Sequence, residues 1–182
     1  MELKDYKLEI VNELLKNENH VRGIAKILKT NHMNIARKIS LLAKENVVDY
    51  KEEGKNKKYF LKKTLEAKNY VFFAENYKLN QILKIYTSMR KIIEKIKSDN
   101  RINLAILFGS YAKGIAKEDS DIDIYIETSD QKLKKDLSLI DTRLSIKIGK
   151  YNKSSQLIKE IEKNHIILKG IETYYEKNKF FE

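Results

Sequence analysis

The chain has 182 residues, 37 of them Lys or Arg and 26 Asp or Glu, so its formal net charge is +11. Such an excess favours polyanionic partners, although an AT-rich or heat-adapted genome produces the same composition. The chain has no Cys, which excludes disulfides and thiolate zinc sites. No apolar stretch approaches the roughly 20 residues of a membrane-spanning helix, and the first residues, MELKDYKLEIVNELL, do not resemble a signal peptide. We therefore expect a soluble, cytoplasmic protein of one or two domains.

The first third of the chain predicts three short helices and a hairpin. Apolar residues recur at helical spacing in residues 4–16, 21–29 and 32–45, and Thr30-Asn31 offers a cap for the third helix. Two short apolar runs, at 47–50 and 59–61, flank a polar turn that contains a glycine. This order resembles a winged helix–turn–helix domain over residues 1–63.

The resemblance implies that the third helix enters the major groove of double-stranded DNA and that the lysine-rich hairpin is the wing. Winged helices also dock proteins, and lysines on a hairpin are typical of a solvated sheet edge. The side chains that we expect to contact DNA are polar or basic and lie on this helix and hairpin: His32, Asn34, Arg37, Lys38, Lys55, Lys57 and Lys58.

Residues 64–99 predict a helical connector in two pieces, with a break near Asn76 to Leu79. Its apolar residues are too many for one narrow stripe. We expect this connector to pack on the neighbouring domains or to form a homodimer interface.

Residues 100–182 alternate between strand-like and helix-like segments. Apolar runs at 104–108, 122–126, 144–148 and 166–168 predict strands, and segments at 131–139, 155–162 and 171–177 predict helices. This order predicts a small mixed sheet with covering helices, so the whole chain is of the α/β (α+β) class.

One stretch, LAILFGSYAKGIAKEDSDIDIYI (residues 104–126), carries the chemistry. Gly109 permits a tight turn at the end of the first apolar run, and Ser110 opens a helix whose free N–H groups suit phosphate. Asp121 and Asp123 follow at the spacing that places them on one face of the next strand, about 7 Å apart. Two such carboxylates are typical ligands of Mg²⁺ that is also bound to phosphate oxygens.

The pattern Gly-Ser, ten residues, Asp-x-Asp resembles the signature of the polymerase β nucleotidyltransferase superfamily, and especially its minimal nucleotidyltransferases. The resemblance implies that Gly109, Ser110 and the basic Lys113 bind the triphosphate of an NTP. It implies that Asp121 and Asp123 hold two Mg²⁺ ions and are the catalytic residues. The implied reaction is transfer of a nucleotide, AMP from ATP, to a hydroxyl of a protein such as a toxin-like partner, or of another macromolecule.

The chain departs from this family at one position. The family places a third carboxylate on a later strand, where this chain has Ser145, with Lys147 two residues on. Asp141 and Glu127 are alternative sources of a carboxylate. Whether the domain catalyses transfer is therefore open, and the alternative is a DNA-binding regulator or antitoxin-like protein whose nucleotidyltransferase domain binds nucleotide with little or no turnover.

Overall fold

The computed structural model describes residues 4–182, which leaves the first three residues of the predicted 1–63 domain outside it. The contacts divide the chain into two compact units, one that extends to Tyr77 and includes Lys179–Glu182, and one that comprises Lys78–Asn178. The predicted domain limits after residues 63 and 99 stay a prediction.

Three helices lie near the start of the first unit: α1 (Tyr6–Lys16), α2 (Val21–Ile27) and α3 (His32–Lys44). The Asn31 side chain caps α3 by accepting a hydrogen bond from the backbone N–H of Met33, at 2.8 Å, as the sequence predicts. The apolar faces of these helices supply buried residues of this unit, among them Ile10, Val11, Ile24, Ile35, Ile39 and Leu42.

A three-stranded sheet completes the first unit. Its strands β1 (Asn19–His20), β2 (Val48–Glu53) and β3 (Asn56–Leu61) lie in the order β1-β3-β2, and all pairs are antiparallel. Gly54, with φ +62°, makes the turn of the predicted hairpin. Three helices followed by this hairpin confirm the winged helix–turn–helix fold; the two-residue β1 was not predicted, because so short a strand leaves no pattern in the sequence.

Two helices follow, α4 (Leu65–Ile85) and α5 (Met89–Ser98). The predicted break near Asn76 to Leu79 is wrong: α4 continues through these residues, and the helices are separated only at 86–88. Leu79 is buried and Asn76 exposed, which is the ordinary inside-outside alternation of one helix.

The second unit contains a four-stranded mixed sheet. Its strands are β4 (Ala105–Leu107), β5 (Ile122–Glu127), β6 (Leu144–Gly149) and β7 (Ile166–Lys169), in the order β6-β5-β4-β7. β5 and β6 are parallel, whereas β4 is antiparallel to both β5 and β7. The connecting and terminal helices are α6 (Gly109–Ala112), α7 (Gln131–Ser138), α8 (Gln156–Lys163) and α9 (Ile171–Lys177).

Successive residues of β5 pack into different surroundings. Ile122, Ile124 and Ile126 belong to one hydrophobic cluster that also contains residues of α5 and α7. The ring of Tyr125 instead lies 6.3 Å from that of Tyr151. This alternation is that of a strand covered on both faces, and it confirms the predicted mixed sheet with covering helices. Within the described residues, no helix has both the length and the apolar character needed to cross a bilayer.

Candidate functional site

The end of β4 brings Gly109 against Asp123. The backbone N–H of Phe108 donates to the carbonyl oxygen of Asp123 at 3.0 Å, which aligns the end of β4 with β5. Gly109 has φ +71°, and a Cβ placed on it would fall within 3.0 Å of the Asp123 Oδ2. Only glycine therefore allows the backbone of this turn to approach the carboxylate so closely.

The segment between Gly109 and Asp121 is a short helix and a loop. Ser110 is half-buried in α6, and Lys113 is exposed directly after that helix. The loop over 113–120 is held at Ala116, whose N–H donates to the hydroxyl of Tyr86 at 3.0 Å. Gly109 is thus brought against Asp123, with Ser110 next to it in the chain, while Lys113 lies on the surface.

The two carboxylates of the motif have no partner among the described residues 4–182. Asp121 is exposed and immediately precedes β5, and Asp123 is half-buried within it. No hydrogen bond or ion pair to either side chain occurs in the structure of residues 4–182. Two neighbouring carboxylates without a cation suit a hard divalent ion with oxygen ligands, so these residues fit Mg²⁺. Across the same residues, no group of three or more His, Cys, Asp or Glu side chains that could hold a metal occurs.

The parallel pairing of β5 and β6 places Ser145 directly beside Asp123. This is the register in which the sequence comparison expected a third carboxylate. Lys147, two residues on, is exposed and lies beside Tyr125.

Both alternative carboxylates, those of Asp141 and Glu127, already have partners within the protein. Asp141 accepts two hydrogen bonds from the side chain of Arg143, at 3.1 and 2.7 Å, and this guanidinium holds the pKa of the Asp141 carboxyl below its usual value. Glu127, at the far end of β5, accepts from the Tyr151 N–H at 3.1 Å and pairs with Lys177 at 3.0 Å. Both carboxylates are already used by the fold.

Most of the second unit matches a known family model. Residues 90–173 match the model described as polymerase beta, nucleotidyltransferase. Residues 90–173 are a polymerase β-type nucleotidyltransferase domain. The match covers β4 to β7 and the whole Gly-Ser to Asp-x-Asp segment.

Three solved structures show distant likeness to the chain. The adhesin competence repressor AdcR from Streptococcus pyogenes is 16% identical, with a TM-score of 0.40, over 53% of this chain and 70% of that one. The winged helix–turn–helix domain of Mb0332 from Mycobacterium bovis, a possible ArsR-family transcriptional regulator, is 16% identical, with a TM-score of 0.35, over 45% of this chain and 72% of that one. A toxin–antitoxin structure with AMP-PNP is 19% identical, with a TM-score of 0.35, over 52% of this chain and 78% of that one. A search of curated proteins found no significant match.

The nucleotidyltransferase domain contains contacts to its motif that the sequence did not reveal. The Tyr86 ring lies 4.7 Å from that of Tyr111, and Tyr86 also holds Ala116. Arg143 donates to the carbonyl oxygen of Glu118 at 3.2 Å. These partners are 25 to 32 residues from the motif residues that they contact, so no local pattern signals them.

The winged helix domain exposes only some of the side chains predicted to bind DNA. On α3, His32 and Arg37 are exposed, whereas Asn34 and Lys38 are half-buried. The exposed fraction of Met33, in the first turn, is 65%. The sequence prediction did not include this apolar side chain.

The wing lysines differ from one another. Lys57 lies over the ring of Tyr50, with its ammonium 3.8 Å from the ring centroid, and Lys58 pairs with Glu53 at 3.5 Å. Lys55 is exposed in the turn. Lys57 and Lys58 would therefore have to leave intramolecular partners in order to contact DNA.

Proposed function

We propose that the nucleotidyltransferase domain binds an NTP together with Mg²⁺ and transfers a nucleotide, AMP from ATP, to a hydroxyl group of a protein or another macromolecule. The observation that carries this proposal is the approach of the Gly109 backbone to Asp123. Asp123 and the nearby Asp121 have no cationic partner within residues 4–182. The divalent cation that accompanies a triphosphate supplies the positive charge that this site lacks.

In this proposal each motif residue has a defined task. Gly109 and Ser110 hold the triphosphate through backbone N–H groups and the serine hydroxyl, and the exposed Lys113 adds a positive charge. Asp121 and Asp123 hold Mg²⁺, with two ions expected. The metal, when bound, neutralises charge on the triphosphate and on the departing pyrophosphate.

The reaction is an in-line substitution at the α-phosphorus of the NTP. The acceptor oxygen forms a bond to this phosphorus, the bond to the bridging oxygen of the β-phosphate breaks, and pyrophosphate leaves. The hydroxyl must also lose its proton. Ser145 stands where a carboxylate would accept that proton, and a neutral serine is a poor base.

The position of Ser145 favours a second candidate function. In this alternative the domain binds nucleotide without appreciable turnover and regulates the activity of the DNA-binding domain or of a toxin-like protein partner. The commitment of Asp141 and Glu127 to other partners supports it, because neither carboxylate is available to replace the missing one.

Incubation with NTPs labelled at the α-phosphate distinguishes the two functions. The full chain is incubated with Mg²⁺ and each labelled NTP, with and without candidate partner proteins and nucleic acids. We expect label on an acceptor with the wild type and none with Asp121→Ala or Asp123→Ala. Asp119→Ala is the matched control, since Asp119 is an exposed carboxylate of the same loop. Mg²⁺-dependent NTP binding without transfer to any acceptor would support the regulator.

We further propose that the winged helix domain binds double-stranded DNA. The exposed basic and polar side chains of α3, with those of the wing, support this assignment. Replacing Arg37 and Lys38 by alanine is expected to weaken duplex binding and to lower its salt dependence. Lys26→Ala/Lys44→Ala removes the same charge and serves as control. An unchanged affinity and salt slope in the Arg37/Lys38 variant would contradict α3 as the recognition helix.

The predicted homodimer through residues 64–99 stays a proposal. Phe73 and Ile85 on α4 are more than half exposed, at 59% and 60%. Measurement of the molar mass in solution, for the wild type and for Phe73→Glu and Ile85→Glu, tests it: a monomeric wild type would overturn the homodimer.

A further inference from the structure

The second unit contains two arginines with the same local arrangement. Arg101 and Arg143 each follow an aspartate by two residues. Each donates from Nε to one carboxylate oxygen, at 3.0 and 3.1 Å, and from a terminal nitrogen to the other, at 2.7 Å in both. Each also donates its backbone N–H to the same aspartate, at 3.0 and 2.9 Å. The pairs Asp99–Arg101 and Asp141–Arg143 are therefore matched clamps.

The clamps differ in what else the guanidinium contacts. Arg101 reaches two further carboxylates, those of Asp130 at 3.4 Å and Asp136 at 3.1 Å. Arg143 instead donates to the carbonyl oxygen of Glu118 at 3.2 Å and approaches the Tyr111 hydroxyl at 3.5 Å. The first clamp joins charged side chains, and the second reaches the loop of the Gly-Ser to Asp-x-Asp motif.

Arg143 contacts the motif on both sides. Tyr111 directly follows Ser110, and Glu118 lies three residues before Asp121. The carbonyl oxygen of Arg143 also accepts from the N–H of Ile122, at 2.8 Å, between the two motif carboxylates. One residue thus links the phosphate-binding turn, the loop that follows it and the start of β5.

We propose that Arg143 is a positioning residue that sets the separation between the Gly109–Ser110 turn and the carboxylates of Asp121 and Asp123. Through that separation it couples the binding of an NTP to the binding of a divalent cation. This inference rests on the proposed function of the domain.

The physical basis of this positioning role is the rigid contact between Arg143 and Asp141. The planar guanidinium is held by two hydrogen bonds to Asp141, so its remaining nitrogen has a fixed direction. The loop that it holds is otherwise mostly exposed; the side chain of Ile115 is 69% exposed. Its contacts to other elements include the Ala116 N–H to Tyr86 and the Glu118 carbonyl to Arg143. Loss of the second anchor frees the half of the loop that leads into Asp121.

Titration of the full chain with ATP, once with Mg²⁺ and once with EDTA, measures this coupling. The ratio of the two dissociation constants reports how strongly the metal and the nucleotide favour each other. We expect Arg143→Gln to reduce this ratio roughly ten- to a hundredfold, the usual effect of losing a contact that orients metal ligands, and to leave binding in EDTA near the wild-type value. Arg101→Gln breaks the matched clamp and should keep the wild-type ratio.

A second pair of variants keeps the test decisive if Arg143→Gln does not fold. Asp141→Asn releases the guanidinium from one ionic partner and should reduce the ratio less, while Asp99→Asn should leave it unchanged. Arg143→Lys keeps the charge without the planar fork and should give an intermediate ratio. Unfolding midpoints are measured for all variants, because a merely structural role would lower them without changing the ratio.

Each outcome has one meaning. A wild-type ratio in Arg143→Gln, or an equal reduction in the Arg143 and Arg101 variants, would overturn the positioning role. If the wild type itself shows no Mg²⁺-dependent ATP binding, the proposed function fails and the positioning role fails with it. The wild-type titration therefore separates the two failures.

Discussion

The carboxylates at the two ends of the sheet in the nucleotidyltransferase domain differ in whether they form ion pairs. Where β4 begins and β5 ends, Asp99, Asp130 and Asp136 all pair with Arg101. Where β4 ends and β5 begins, Asp121 and Asp123 pair with no cation within residues 4–182. The chain carries 11 more positive than negative charges, so a shortage of basic residues does not explain the difference.

The comparison separates the end whose charges are paired within the fold from the end that we propose binds a cation. Charges that are paired within the protein stabilise the folded state, whereas two unpaired neighbouring carboxylates repel each other. The end with Asp121 and Asp123 is therefore electrostatically incomplete without a bound cation. Stability given up at one end of a sheet is typical of a binding site.

The largest effect that we expect comes from Asp123→Asn. Labelled-nucleotide transfer should fall roughly a hundredfold or more, because one of the two proposed metal ligands is lost. The midpoint of urea unfolding at pH 7 should stay unchanged or rise, since one of two repelling charges is removed. A fall in the midpoint as large as that of Asp99→Asn would erase the difference between the two ends.

Gly109→Ala tests how much the close approach of the backbone to Asp123 matters at the unpaired end of the sheet. Gly109 and Gly114 have nearly equal φ angles, +71° and +70°, but a Cβ at Gly114 has no atom within 4 Å. Both alanine variants should lose about 1 kcal/mol of unfolding free energy from the left-handed backbone. Gly109→Ala should lose about 1–3 kcal/mol more, from its collision with Asp123, and should also lose Mg²⁺-dependent ATP binding. Equal unfolding free energies of the two variants, measured in urea, would show that the close approach of Gly109 to Asp123 does not affect stability.

Ser145→Asp adds a third carboxylate at the unpaired end. By its register beside Asp123, it should raise nucleotide transfer by about tenfold or more and lower stability in the absence of metal, because a third negative charge joins two others. Label transfer and the urea midpoint, each with and without Mg²⁺, are the measurements. Ser145→Asn, similar in size and neutral, is the control, and the same rate in both variants would contradict the assigned position.

The smallest effect concerns the paired end and depends on pH. Arg101 lowers the pKa of Asp99 from 3.8 to about 2. A carboxyl whose pKa is lower in the folded state stabilises the fold above the unfolded pKa, and this stabilisation is lost as the pH falls from about 4 to about 2. Asp99→Asn should therefore lower the urea midpoint at pH 7 and approach the wild type near pH 2. A constant difference at all pH values would show that the charge of Asp99 is not what stabilises this end.

Local patterns predicted much of this fold. The cap at Asn31, the hairpin turn at Gly54 and the tight turn at Gly109 each follow from one residue type in a fitting context. These three features involve residues close in sequence. The position of Ser145 beside Asp123 agrees with the family resemblance and does not follow from a local pattern.

The features that the sequence did not reveal depend on distant or competing contacts. Arg143 reaches Glu118 across 25 residues, and Tyr86 reaches Ala116 across 30. The predicted helix break near Asn76 to Leu79 is wrong, because α4 continues through these residues and Leu79 is buried on the same helix. The pairing of Lys57 with Tyr50 and of Lys58 with Glu53 needs the hairpin register as well as the lysine charge, and the charge pattern alone does not give that register.

The strand order has a consequence for synthesis of the protein. β4, which leads into Gly109, pairs on one side with β5 and on the other with β7, the last strand of the sheet. During translation β4, β5 and β6 emerge first, and β4 keeps one open edge until Ile166–Lys169 leaves the ribosome. An open strand edge can pair with other chains. A nascent chain stalled before residue 166 should therefore be more prone to aggregate than one that includes β7.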